Sequence, residues 1–202
     1  MTKPQLINAV DYREDRPNHL QILADLPLAA YPRATIDVMA NAHVSRSFQD
    51  AYRDYPCMSE RHCEAIGGPC PCWHDRAGCP VRQTILARTI KLCDSGAFKR
   101  DALPLPYDRL FRLYARMEVA YGIMKDVLGD PRATLASAER ALEAYGPYRD
   151  TFILVGVAQG ISLEDYLQSY RDLSALGLTH VAVGGLLRKR PASARFAQVG
   201  GL

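Results

Sequence analysis

Between residues 89 and 186 the chain alternates short apolar runs with amphipathic segments, and this alternation constrains its fold more than any other feature. TFILVGVAQG (151–160) is a near-continuous apolar run, the pattern of a parallel strand buried on both faces. Ser162 and Asp165 then make a capping-box-like helix start, with Asp in place of the usual Glu. Leu163, Tyr166, Leu167, Tyr170 and Leu173 form an apolar stripe, and Gly177 ends the helix. HVAVGGL (180–186) reads as the next strand.

The same order runs upstream. ATIDVMA (34–40) is a strand, residues 45–53 are helical, and TIKLCDSGAF (89–98) is a strand running into a glycine turn. A helix over 107–118 carries Leu110, Leu113, Tyr114 and Met117 on one face. YGIMKDV (121–127) follows as a strand, then Asp130 and Pro131 as N-cap and first residue of a helix that runs to Tyr145 and stops at Gly146. The first thirty residues are weakly patterned, with NHLQILADLPL as a first strand or docking segment. Strand and helix in strict alternation imply an α/β fold of parallel strands with right-handed crossovers.

Composition narrows the class. With 48% hydrophobic and 23% charged residues in 202, the chain has ample apolar surface to fold, which excludes disorder over most of its length. No run reaches the ~20 apolar residues of a membrane span. The start, MTKPQLINAVDYRED, lacks the apolar core of a signal peptide, so the expected compartment is the cytoplasm. The net charge of +3 permits a nucleic-acid partner without demanding one, although Arg188, Lys189, Arg190 and Arg195 crowd the last fifteen residues.

Successive strand ends carry residues able to act on a ligand: Asp94, Ser95 and Gly96, then Asp126, then Gln159 and Gly160, then Gly184 and Gly185. Ligand sites in parallel α/β folds form at these carboxyl ends. Two carboxylates, an amide and paired glycines suit a flat polar heterocycle, since carboxylates accept from ring N–H groups and Gln both donates and accepts. Each residue alone equally suits a turn or a helix cap; their recurrence at successive strand ends carries the functional reading.

These residues resemble a known family. CDSGAF (93–98) is similar to the Asp-Ser-Gly-Gly-Phe strand end of tRNA-guanine transglycosylases, and residues 155–186 resemble that family's Val-Gln-Gly, helix, Gly-Gly-Leu stretch in order and spacing. YGIMKDV and the SAERAL helix (137–142) resemble its next strand and helix, and YPCMS (55–59) resembles the paralogous deazapurine DNA modification proteins. The resemblance spans roughly residues 34–187. It implies a (β/α)8 TIM barrel over residues 1–202 that replaces guanine in DNA or tRNA by a 7-deazaguanine base. Asp94 would bind the base and handle its protons, Asp126 would contact the base edge, and Gln159, Gly184 and Gly185 would complete the pocket. The chemistry would be double displacement, a carboxylate attacking the anomeric carbon as guanine leaves. The chain departs from the family at Ala97 and Lys99, and no Asp or Glu follows Asp172, where the nucleophile would lie. A barrel of this type needs about 250 residues. The expectation is therefore a barrel incomplete at its C-terminus, a truncated or split product working with a second copy or a companion subunit.

Cys57, Cys63, Cys70, Cys72 and Cys79 fall within 23 Gly/Pro-rich residues. With Cys57 assigned to the YPCMS motif, Cys63, Cys70, Cys72 and Cys79 make the best four-thiolate set for a structural zinc within an insertion over residues 57–82. An iron–sulfur cluster is the second option, and a loop of reduced cysteines without metal the third. Cys93, within a strand, reads as core. Three function classes stand at this point: a base-exchange glycosyltransferase, a non-catalytic paralogue that binds nucleic acid or a purine-like base, and a metal-dependent enzyme of another barrel family.

Overall fold

A computed structural model describes residues 8–9, 36–54, 79, 83, 86–96 and 104–185. Among these residues six strands form one sheet in strictly sequential order: β1 (Asn8–Ala9), β2 (Ile36–Asn41), β3 (Thr89–Asp94), β4 (Tyr121–Ile123), β5 (Ile153–Ala158) and β6 (His180–Val183). Every neighbouring pair is parallel. Among the described residues four α-helices punctuate them: α1 (Arg46–Asp54), α2 (Tyr107–Arg116), α3 (Pro131–Tyr145) and α4 (Leu163–Ala175). The parallel α/β class read from the sequence is therefore the observed one. A doubly wound sheet reverses its strand order at a switch point; these six strands never do.

Register and alternation sort the side chains. Ala40, Cys93, Gly122 and Leu154 lie side by side across β2 to β5 on one face, with Gly156 beside Val181 further along. The helices pack on this face. A Cβ on Gly122 would lie 2.3 Å from the Tyr114 ring of α2, so only glycine admits that ring against the sheet. Tyr114 Oη donates to the Ile123 carbonyl at 2.6 Å and anchors α2 there. The Tyr52 hydroxyl of α1, 1% exposed, lies 2.6 Å from the Val38 carbonyl and 2.8 Å from that of Leu92, tying β2 to β3. Phe111 centres an aromatic cluster, with ring centroids 5.2 Å from Tyr107, 5.6 Å from Phe152 and 5.9 Å from Tyr148. Cys93 is fully buried in this core, as read from its strand.

Several element ends differ from the sequence reading. On α2 the fully buried residues include Phe111, while Leu113 is only half-buried. On α4 the buried face is Tyr166, Ser169 and Leu173, and Tyr170 is 53% exposed. That rotation lets Ser169 Oγ accept from the Gln159 N–H at 3.2 Å, a bond that apolar periodicity does not encode. β4 stops at Ile123, not 127. Beyond it side chains take over the backbone: Lys125 N–H donates to Tyr107 Oη at 3.1 Å and Val127 N–H to Thr134 Oγ1 at 2.9 Å. Gly146 does not take a left-handed capping conformation; at φ −44° it opens a 3₁₀ turn to Tyr148. The N-caps at Asp130 and Ser162 form as read, the latter with both arms of its capping box, and Gly177 sits at φ +94°.

Candidate functional site

The strand-end residues converge at the carboxyl edge of the sheet. Asn41 and Asp94 are register partners at the ends of β2 and β3, and Asn41 Nδ2 donates to Asp94 Oδ2 at 3.3 Å. The Gly96 N–H donates to the same oxygen at 3.2 Å, with Gly96 at φ +72°. A Cβ there would meet His43 Cδ2 at 2.3 Å, so glycine is required both by the turn and by the close approach of the imidazole. Ser95 is buried, and its Oγ has no hydrogen-bond partner among the described residues.

Three residues past β4, Asp126 is 8% exposed and accepts a short hydrogen bond from Gln159 Nε2. Gln159 is itself fully buried at the end of β5. Its Oε1 accepts from the Gly129 N–H at 3.1 Å, so both ends of the amide are engaged. The glycine pair after β6 makes this possible. A Cβ on Gly184 would lie 2.3 Å from Gln159 Nε2, and one on Gly185 would lie 3.0 Å from Gln159 Oε1. The space that the glycines keep open is thus taken by the Gln159 amide. Tyr166 Oη donates to the Gly184 carbonyl at 2.9 Å, and Gly160 leaves room for the start of α4, where a Cβ would lie 2.8 Å from Tyr166 N.

Burial pushes both carboxyls above their usual range. For Asp94 the loss of solvent outweighs the backbone N–H groups of Gly96 and Ser95 and the nearby His43. For Asp126 the loss of solvent outweighs the Gln159 bond, and the charge of Asp94 adds to the upward push. Each carboxyl therefore holds a proton more readily than in water. A carboxyl accepts when ionised and can also donate when protonated, which suits the edge of a polar ring. No protein-family model matches the chain, and no curated protein matches it.

Asn41 and His43 were missing from the sequence reading. Their signal, an Asn at the end of ATIDVMA opposite Asp94, exists only once the register of β2 with β3 is known. Of the thiolate set, Cys63, Cys70 and Cys72 lie outside the described residues, as do YPCMS, Ala97 and Lys99. Cys79 is buried, and its carbonyl accepts from the Gln83 N–H at 3.0 Å. Among the described residues no helix is long and apolar enough to cross a membrane.

Proposed function

We propose that the mouth formed by Asp94, Asp126 and Gln159 binds a purine-like base, guanine or a 7-deazaguanine, as part of a base exchange on DNA or tRNA. The observation that carries this reading is the pair of buried carboxyls, one hydrogen-bonded to Asn41 and the Gly96 N–H and the other to the buried Gln159 amide, at and just beyond the ends of adjacent parallel strands. A guanine-type edge presents ring N–H, amino and carbonyl groups, and such a pair can meet all three. The strictly sequential strand order supports placing the sheet in a (β/α)8 barrel, where sites lie at this edge. The four thiolates of Cys63, Cys70, Cys72 and Cys79 would supply a closed structural zinc site with no chemistry of its own.

A second reading is a paralogue that binds the base without exchanging it. Calorimetry with guanine and 7-cyano-7-deazaguanine tests base binding. Losing one charged hydrogen-bond partner costs about 1.5–3 kcal/mol, so Asp94→Ala and Asp126→Ala should each weaken binding roughly ten- to hundred-fold. Unchanged affinity in both variants would overturn the site. Incorporation of labelled base into DNA or tRNA by this chain decides for exchange; base binding without incorporation decides for the second reading.

A further inference from the structure

α2 carries Arg109, Arg112 and Arg116 at positions i, i+3 and i+7, a single helical face. That face lines a groove of about 620 Å³ whose lining also includes Val44, Leu105, Leu113 and His43. Arg109 and Arg112 are exposed. Arg109 has no ion pair among the described residues, and Arg112 folds back to Asp108 at 2.8 Å. Arg116 is held across the groove, its guanidinium donating to Gln49 Oε1 of α1 at 2.8 Å and pairing with the Asp50 carboxylate at 3.4 Å. Its Nε is buried without a hydrogen-bond partner among the described residues, while the side chain as a whole stays 30% exposed. The groove also touches the mouth: the same His43 that lines it stands against Gly96 and lowers the proton affinity of Asp94.

We propose that this groove holds the phosphodiester backbone of a single-stranded nucleic-acid segment, with the three arginines contacting neighbouring phosphates. The proposal rests on the reading that the adjoining mouth takes a nucleobase. From Arg109 to Arg116 the helix rises about 10 Å, enough for two or three phosphates in succession. Arginine forks match phosphate oxygens, and the leucines of the lining cover the less polar sugar edge. An acidic peptide offers the same charge without that sugar edge.

The test is a fluorescence-anisotropy titration of a labelled oligothymidylate with the full chain. Variants are Arg109→Ala/Arg112→Ala and a charge-matched control on other helices, Arg132→Ala/Arg171→Ala. Three phosphate contacts on a single strand give a salt slope near −2, so wild-type affinity should fall about 20-fold between 50 and 200 mM salt. The groove variant keeps one contact, binds more weakly at low salt, and should fall only about 3-fold over the same range. The control should behave as wild type. A groove variant that matches wild type, a control that loses as much, or equal competition by polyglutamate overturns the proposal. Calorimetry with free guanine on the same proteins separates the two readings. Base binding with oligonucleotide binding indifferent to the arginines sinks the groove alone. Arginine-dependent oligonucleotide binding without base binding sinks the mouth alone.

Discussion

Gly184→Ala isolates the packing that holds the candidate site. The added methyl would sit 2.3 Å from Gln159 Nε2, 2.6 Å from Val157 Cγ1 and 3.1 Å from Gln159 Cδ. A flexible side chain would swing aside, but Gln159 is fully buried and pinned at both ends, by Asp126 and by Gly129. The chain must either keep the overlap, at about 1–3 kcal/mol, or release the bond to Asp126, at about 1.5–3 kcal/mol. Either route lowers stability by about 2 kcal/mol, a fall in Tm of roughly 4–8 °C for a chain of this size. Gln159→Ala alone leaves the buried Asp126 carboxyl and the Gly129 N–H without their partner and should cost a similar amount. The double variant tests the mechanism, because two of the three close atoms belong to Gln159. Removing them leaves the new methyl only Val157 to displace. Urea unfolding of all four proteins should therefore give a double variant at least about 1 kcal/mol more stable than the sum of the single losses. Additivity within about 0.5 kcal/mol would refute the argument that Gly184 is small in order to admit the Gln159 amide.

Burial raises the folded-state pKa of Asp94 and Asp126 above 3.8, so between that value and the folded one the native chain holds more protons than the unfolded chain. Their contribution to stability is therefore greatest at low pH and declines as pH rises through the window; Asp126→Asn should flatten that decline in urea unfolding followed from pH 4 to 7. Tyr52→Phe removes the hydroxyl shared by the Val38 and Leu92 carbonyls and should cost about 1 kcal/mol by the same assay, with little change in base affinity. Elemental analysis of reduced, anaerobically purified protein should find one zinc per chain, lost in the Cys70→Ser/Cys72→Ser double variant; iron with visible absorbance, or no metal, would contradict the assignment.

What the sequence disclosed was local. The apolar run 151–160, the capping box at Ser162 and the N-cap at Asp130 are set by residues within a few positions of one another; both caps form as read, and the strand occupies Ile153–Ala158 of its run. What stayed hidden depends on how distant segments align. Asn41 meets Asp94 across 53 positions, and Arg116 meets Gln49 across 67. The glycines after β6 were visible as a motif, but their reason was not. The space they leave holds the Gln159 amide. Likewise, counting apolar residues favoured Tyr170 over Ser169 for the buried face of α4, since the bond from Gln159 N–H to the serine hydroxyl leaves no trace in hydropathy.

The sequential sheet is also tolerant of cargo. From Thr89 to Tyr121 and from Tyr121 to Ile153 the chain advances 32 residues per strand, but from Ile36 to Thr89 it advances 53. The cysteine-rich residues 57–79 fall within this longer connection. Closing a longer loop costs entropy only logarithmically, so going from 32 to 53 residues adds about 0.5 kcal/mol. β2 and β3 still pair over six residues in unbroken register. A parallel sheet wound in sequence can thus acquire or discard a module between two strands at a thermal-energy cost, leaving the neighbouring ladder and the residues at its end in place.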